Sequence, residues 1–109
     1  MASEVLKIGI ENACTNSERK CIDGTAGHTY TVLSITICET AGAAETFDLY
    51  VINDGGVTDH YIYKAQALGA NETFEHTGKF VMEAADHLSI QTATTSNIDV
   101  LVSYLDQTL

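Results

Sequence analysis

From Tyr30 to Glu39 the chain reads Tyr-Thr-Val-Leu-Ser-Ile-Thr-Ile-Cys-Glu. This density of β-branched residues, alternating apolar with polar, disfavours a helix and suits a pleated strand with one buried face. Leu33, Ile35 and Ile37 are expected on one side, with Ser34 and Thr36 on the other. The same period of two recurs along the chain, and no segment sustains the 3.6-residue apolar period of an amphipathic helix. Val5 to Ile10 places Leu6, Ile8 and Ile10 on one face. Glu45 to Asn53 alternates Phe47, Leu49 and Val51 with Thr46, Asp48 and Tyr50. Asp59 to Leu68 sets Tyr61, Tyr63 and Ala65 against His60, Ile62 and Lys64. Glu72 to His76, Phe80 to Met82, His87 to Thr92 and Ile98 to Leu105 complete the set.

Proline is absent, so the turns between these strands rest on Gly, Asn, Asp and small residues. They fall at Ala41-Gly42-Ala43-Ala44, Asn53-Asp54-Gly55-Gly56, Gly69-Ala70-Asn71, Glu83 to Asp86 and Ala93 to Asn97. Seven or eight short strands, with a turn roughly every ten residues, predict an all-β fold: an antiparallel β-sandwich of Ig-like or jelly-roll type. With 109 residues the chain holds a single domain, 1–109, since a second core would lack residues to fill it. One polar segment interrupts the pattern. Glu11 to His28 reads as a loop, with a short strand around Lys20-Cys21-Ile22. It is long for a connection in a compact domain, and a short strand or an outside contact is expected to order it.

Charge narrows the partners. Fifteen acidic residues against five Lys plus Arg give a formal charge of −10. That balance is wrong for phosphate-backbone binding or for docking on an anionic membrane. No Lys or Arg lies between Lys20 and Lys64, where Asp23, Glu39, Glu45, Asp48, Asp54 and Asp59 fall. None follows Phe80 either, against Glu83, Asp86, Asp99 and Asp106. Such an acidic surface serves solubility and guards strand edges, or seats on a basic or mixed partner surface, with Tyr50, Tyr61 and Tyr63 as interspersed aromatics. The start, Met1 to Lys7, lacks a basic segment followed by an apolar run, so no secretory signal is expected there.

Catalytic and metal-binding patterns are sparse. His28, His60, His76 and His87 lie too far apart in sequence to form the close pairs of a structural zinc site. Asp54 and Asp59 flank a glycine turn without the EF-hand pattern. Cys14, Cys21 and Cys38 are an odd number, and none sits in a Cys-x-x-Cys pair. Cys14 and Cys21 are candidates for a small disulfide, while Cys38 is placed to pack as a small apolar residue. No Gly-x-Ser-x-Gly elbow and no phosphate-cradling glycine loop is present. Asn71-Glu72-Thr73 fits a glycosylation sequon but reads better as a turn that starts a strand. No enzyme activity, cofactor or metal is expected.

Taken in order, the segments carry a family likeness. Tyr30 to Thr40 opens it, followed by Thr46-Phe47-Asp48-Leu49-Tyr50-Val51, His60-Tyr61-Ile62-Tyr63 and Leu68 to Phe74. Met82 to Ile90 and Ile98 to Tyr104 close it. This order resembles the small β-sandwich virion structural proteins of tailed bacteriophages, over residues 30–105, about 70% of the chain. The chain departs from them where Gly24-Thr25-Ala26-Gly27-His28 replaces a proline-containing lead into the long strand.

The resemblance implies a non-enzymatic virion part made in the host bacterial cytoplasm. The first expectation is a capsid decoration, or cement, protein that binds the assembled particle in many copies. The alternative is a neck or tail accessory subunit, such as a ring or fibre-anchoring piece. Partners would be phage capsid, neck or tail proteins, and by analogy the chain would be a homo-oligomer, a trimer among the options. A carbohydrate- or receptor-binding module is a rival from another class, with Tyr61, Tyr63 and Asp54 lining its site. Partner contact is assigned to the polar segment, through Cys14, Arg19, Lys20, Cys21 and His28.

Overall fold

The computed structural model describes residues 3–54, 56–94 and 97–108, and these form nine β-strands without a helix among them. The strands are β1 (Ser3–Cys14), β2 (Arg19–Asp23), β3 (His28–Glu39), β4 (Glu45–Ile52) and β5 (Asp59–Leu68). Then follow β6 (Thr73–His76), β7 (Phe80–Glu83), β8 (His87–Thr92) and β9 (Ile98–Thr108). They build two antiparallel sheets. One has the order β1-β9-β3-β6, with β7 also paired to β3; the other has the order β2-β8-β4-β5. β6 and β7 flank the two halves of β3 and together act as one interrupted strand. Counted that way, the chain has eight strands in two four-stranded layers, with most connections crossing between layers. That is the jelly-roll arrangement rather than the Ig-like one.

The core lies between the layers. Tyr30, Val32, Ile35, Ile37, Ile98, Val100 and Val102 enter it from the first sheet, and Phe47, Leu49, Leu88 and Ile90 from the second. Phe47, Tyr63 and Phe74 close one end with edge-on ring contacts at 4.9–6.3 Å, a geometry that puts positive ring edges on negative ring faces.

Several sequence expectations shift here, each for a local reason. The expected long loop at 11–28 resolves into more strand: β1 runs on to Cys14, and β2 falls on the short strand anticipated around Cys21. A register shift between Val32 and Ser34 changes the phase of β3. Tyr30 and Val32 are therefore buried along with Ile35 and Ile37, and Leu33 turns outward. In β4 the alternation holds, with Val51 packing against the core on the side of Phe47 and Leu49. Tyr50 and Ile52 are buried as well, Tyr50 against Glu18 and Gln91. Of the expected turn at 53–56, Gly55 lies outside the described residues, as do positions 95 and 96 of the 93–97 connection.

The acidic residues divide as well. Glu39 and Glu45 belong to the interior, not to the surface charge. The Glu39 carboxylate accepts the N–H groups of Ala41, Gly42, Ala43 and Asn71 at 2.8–3.2 Å. It thereby organises the β3–β4 turn and the approach to β6. Glu45 accepts the Thr46 N–H and the Thr94 hydroxyl.

Candidate docking face

β1 is the end strand of its sheet, and its alternation is the reverse of what a buried face would show. Leu6, Ile8 and Ile10 share one side, as their spacing requires, and that side is the outer one. They are 73%, 54% and 60% exposed. The register extends this face across the sheet in rows. Leu6 lies beside Leu105, then Thr31, then Val81. Ile8 lies beside Ser103 and Ser34. Ile10 lies beside Leu101, Thr36 and Glu75. Val81 is 63% exposed and Leu101 38%. A shallow groove at β1 and β9 is lined by Leu6, Ile8, Leu33 and Ser103 of this face and by their chain neighbours Lys7 and Tyr104.

Carboxylates stand at both ends of the rows. Glu4, Gln107, Thr29 and Glu83 form the row beyond Leu6, with Gln107 Nε2 donating to Glu4 Oε1 at 3.1 Å. Asp99 and Cys38 form the row beyond Leu101, where Asp99 accepts the Ala13 N–H at 3.0 Å. The face is therefore an apolar band between acidic ends. Lys7 belongs to the opposite side of β1, where its ammonium meets Asp106 at 2.8 Å.

The strand that carries the band is anchored through that same carboxylate. Asp106 is buried on β9 and accepts from both Lys7 and His28. Burial alone would raise its pKa. The hydrogen bonds and positive charge of Lys7 and His28 outweigh burial and hold it below the ordinary carboxylate value. Lys7 is raised in turn by the Asp106 hydrogen bond and charge. His28 also stacks on Tyr30, with ring centroids 5.8 Å apart.

The residues singled out from the polar segment separate into two groups. Cys14 and Cys21 are core residues with free thiols. Burial raises both pKa values, that of Cys21 to about 12. Arg19, Lys20 and His28 stay at the surface but are engaged internally, with Glu11, Asp23 and Asp106 respectively. The side chains imagined for a sugar site do not converge on open space either. Tyr63 packs on Phe47 and Phe74 and bonds His76 Nδ1 at 2.8 Å, while Tyr61 lies under Lys64. Among the described residues, no three His, Cys, Asp or Glu side chains gather as metal ligands do. Sequence reading missed the outer band as a site. Its signal was present in Leu6, Ile8 and Ile10, but periodicity does not say which side of a strand is covered.

No protein-family model matches this sequence, and no curated protein sequence matches it. Solved structures do match in fold. The chain is similar to one from the acid-stable capsid of the Helicobacter pylori bacteriophage KHP30, with a TM-score of 0.60 at 11% identity. That match covers 96% of this chain and 93% of the other. It is also similar to a chain of the Bacillus endospore appendages, a family of disulfide-linked pili, with a TM-score of 0.58 at 12% identity. There the coverage is 99% and 88%.

Proposed function

We propose that the chain is a non-enzymatic structural subunit of a phage virion, a decoration protein that binds the assembled capsid in many copies. The observation that carries this reading is the uncovered apolar band on the outer face of the first sheet. Folded domains that stay monomeric rarely leave contiguous apolar surface of this kind to water. Covering a large aliphatic side chain is worth about 1.5–3 kcal/mol, so the band is a strong reserve of association energy. Repetition over a shell multiplies modest single contacts through effective concentration, and binding only the assembled state stabilises that state by mass action. The near full-length likeness to a capsid chain supports the reading. Partners are then capsid proteins and further copies of this chain, and the protein resides in the virion.

A second reading is favoured by the likeness to the pilus chain: a repeating subunit of an open fibre, where each copy covers the band of the next. Quantitative mass spectrometry and imaging of purified particles with this chain labelled test both readings. Many copies distributed over the shell lattice support decoration. A single ring's worth of copies moves the protein to a neck or tail position. Filaments assembled from the purified chain alone would replace the decoration reading with the fibre.

A further inference from the structure

We infer that the outer face of the first sheet docks a protein other than this chain, one presenting an apolar patch bordered by lysine or arginine. The inference rests on the structural role proposed above and specifies its partner. Charge complementarity decides the occupant. Both ends of the apolar rows carry carboxylates, Glu4 and Glu83 at one end, Glu75 and Asp99 at the other, and no Lys or Arg stands in any of the rows. A second copy laid face to face on this surface sets acid against acid, which costs affinity and blocks docking.

A head-to-tail second copy fares no better. The chain has five Lys plus Arg in all, and four of them are paired with its own carboxylates. Lys7 meets Asp106, Arg19 meets Glu11, Lys20 meets Asp23 and Lys64 meets Asp48. The fifth, Lys79, is exposed just before β7, and one lysine on a chain of net charge −10 makes no cationic patch to meet an acidic border at both ends of the band. The border therefore selects a basic partner and disfavours self-association through this face, while the apolar band supplies the affinity.

The probe for this chemistry is an octyl chain with either a cationic or an anionic head: octyltrimethylammonium or octyl sulfate, below micelle formation. Backbone amide shifts of the purified full chain are followed on titration. The cationic probe should bind about tenfold more tightly than the anionic one, with shifts concentrated at Leu6, Ile8, Ile10, Val81 and Leu101. Ile8→Lys, at an exposed position, should keep the urea midpoint and weaken the cationic probe about tenfold. The double change Glu4→Lys with Glu83→Lys should reverse the preference between heads.

Equal affinity for both heads, shifts centred elsewhere, or binding insensitive to Ile8→Lys would overturn the inference. So would a concentration-dependent dimer in sedimentation that Ile8→Lys abolishes, since that makes a second copy the occupant. These readouts concern the isolated chain. A failed particle count would remove the virion role and leave the face chemistry standing, and a failed titration would do the reverse.

Discussion

His28 Nδ1 lies 2.7 Å from Asp106 Oδ1, joining the first residue of β3 to the carboxylate on β9 that also holds Lys7 of β1. Three adjacent strands of one sheet thus meet at a single buried acid. The sign of its pH effect follows from the lowered pKa. In the unfolded chain Asp106 takes up its proton near the ordinary value of 3.8, and in the folded chain only below that. Its contribution is present above the unfolded pKa and lost as pH falls through the folded one. Urea unfolding of the native chain should therefore weaken more steeply below about pH 4 than that of Asp106→Asn, which should be less stable at neutral pH. Parallel pH profiles for the two proteins would refute the assignment.

Buried thiols predict the opposite limb. Cys21 is held neutral by burial, with its pKa pushed from 9.0 to about 12. A raised pKa in an acidic group stabilises the fold below the unfolded value and loses that contribution as pH climbs towards the folded one. Stability should therefore fall between pH 9 and 12, and Cys21→Ala should flatten that limb. The substitution also costs about 1 kcal/mol of packing.

Reagent access should rank the three cysteines. Cys38 is part-exposed on the outer face, whereas Cys14 and Cys21 are buried and free. Under native conditions iodoacetamide should modify Cys38 first, with the other two reacting only on unfolding. Peptide mapping after partial labelling reads the order, and early loss of Cys14 or Cys21 would count against the burial described above.

Glu39 should be among the most sensitive polar positions in the chain. Its carboxylate receives four backbone N–H groups while almost wholly buried. Glu39→Ala strands those donors and should cost about 3 kcal/mol, with Glu39→Gln costing less because an amide oxygen still accepts. Chemical denaturation of both variants measures this, and a loss below 1 kcal/mol for the alanine variant would be inconsistent with the turn depending on Glu39.

Gly24 tests a contact that no local pattern announces. A Cβ there would lie 2.1 Å from the Asp86 carbonyl oxygen and 2.5 Å from that of Ala84, and the Gly24 N–H bonds Asp86 at 3.0 Å. Gly24→Ala should destabilise by about 2–3 kcal/mol through overpacking. Gly27→Ala provides a useful contrast: its surroundings are open and only its φ of 84° resists a side chain, so the cost should be about 1 kcal/mol.

Legibility in the sequence followed regularity of pairing. β5 and β8 fall where alternation and turn residues put them, because each strand end is marked by a local breaker. β1 and β9 run longer than expected, since Glu11 and Asn12 and the residues Asp106 to Thr108 read as polar, while pairing carries β1 through a register shift to Cys14 and β9 on to Thr108. Polarity there reads as loop, yet β1 tolerates it as an end strand and β9 is held extended by pairing on both sides. Leu33 was placed on the wrong side because it lies at a register shift in β3, and a bulge leaves no reliable mark in a single sequence. Of the partner residues assigned to the polar segment, Cys14 and Cys21 lie in the core, Cys21 at a register shift in the β2–β8 pairing that lets it and Ile22 both be buried.

Local chemistry in the chain was enough to specify extended strands, glycine- and asparagine-bearing turns, a two-layer antiparallel class and a strongly acidic character, since each depends on steric preference or charge within a few residues. Which side of each strand is dry, which acids are interior and where the apolar band surfaces depended on packing across the layers. An alternating strand has two faces of fixed composition, and only the presence or absence of an opposing sheet makes one of them core. β1 has Leu6, Ile8 and Ile10 on the side that no sheet covers, and that single fact turns an ordinary amphipathic strand into the molecule's candidate docking face.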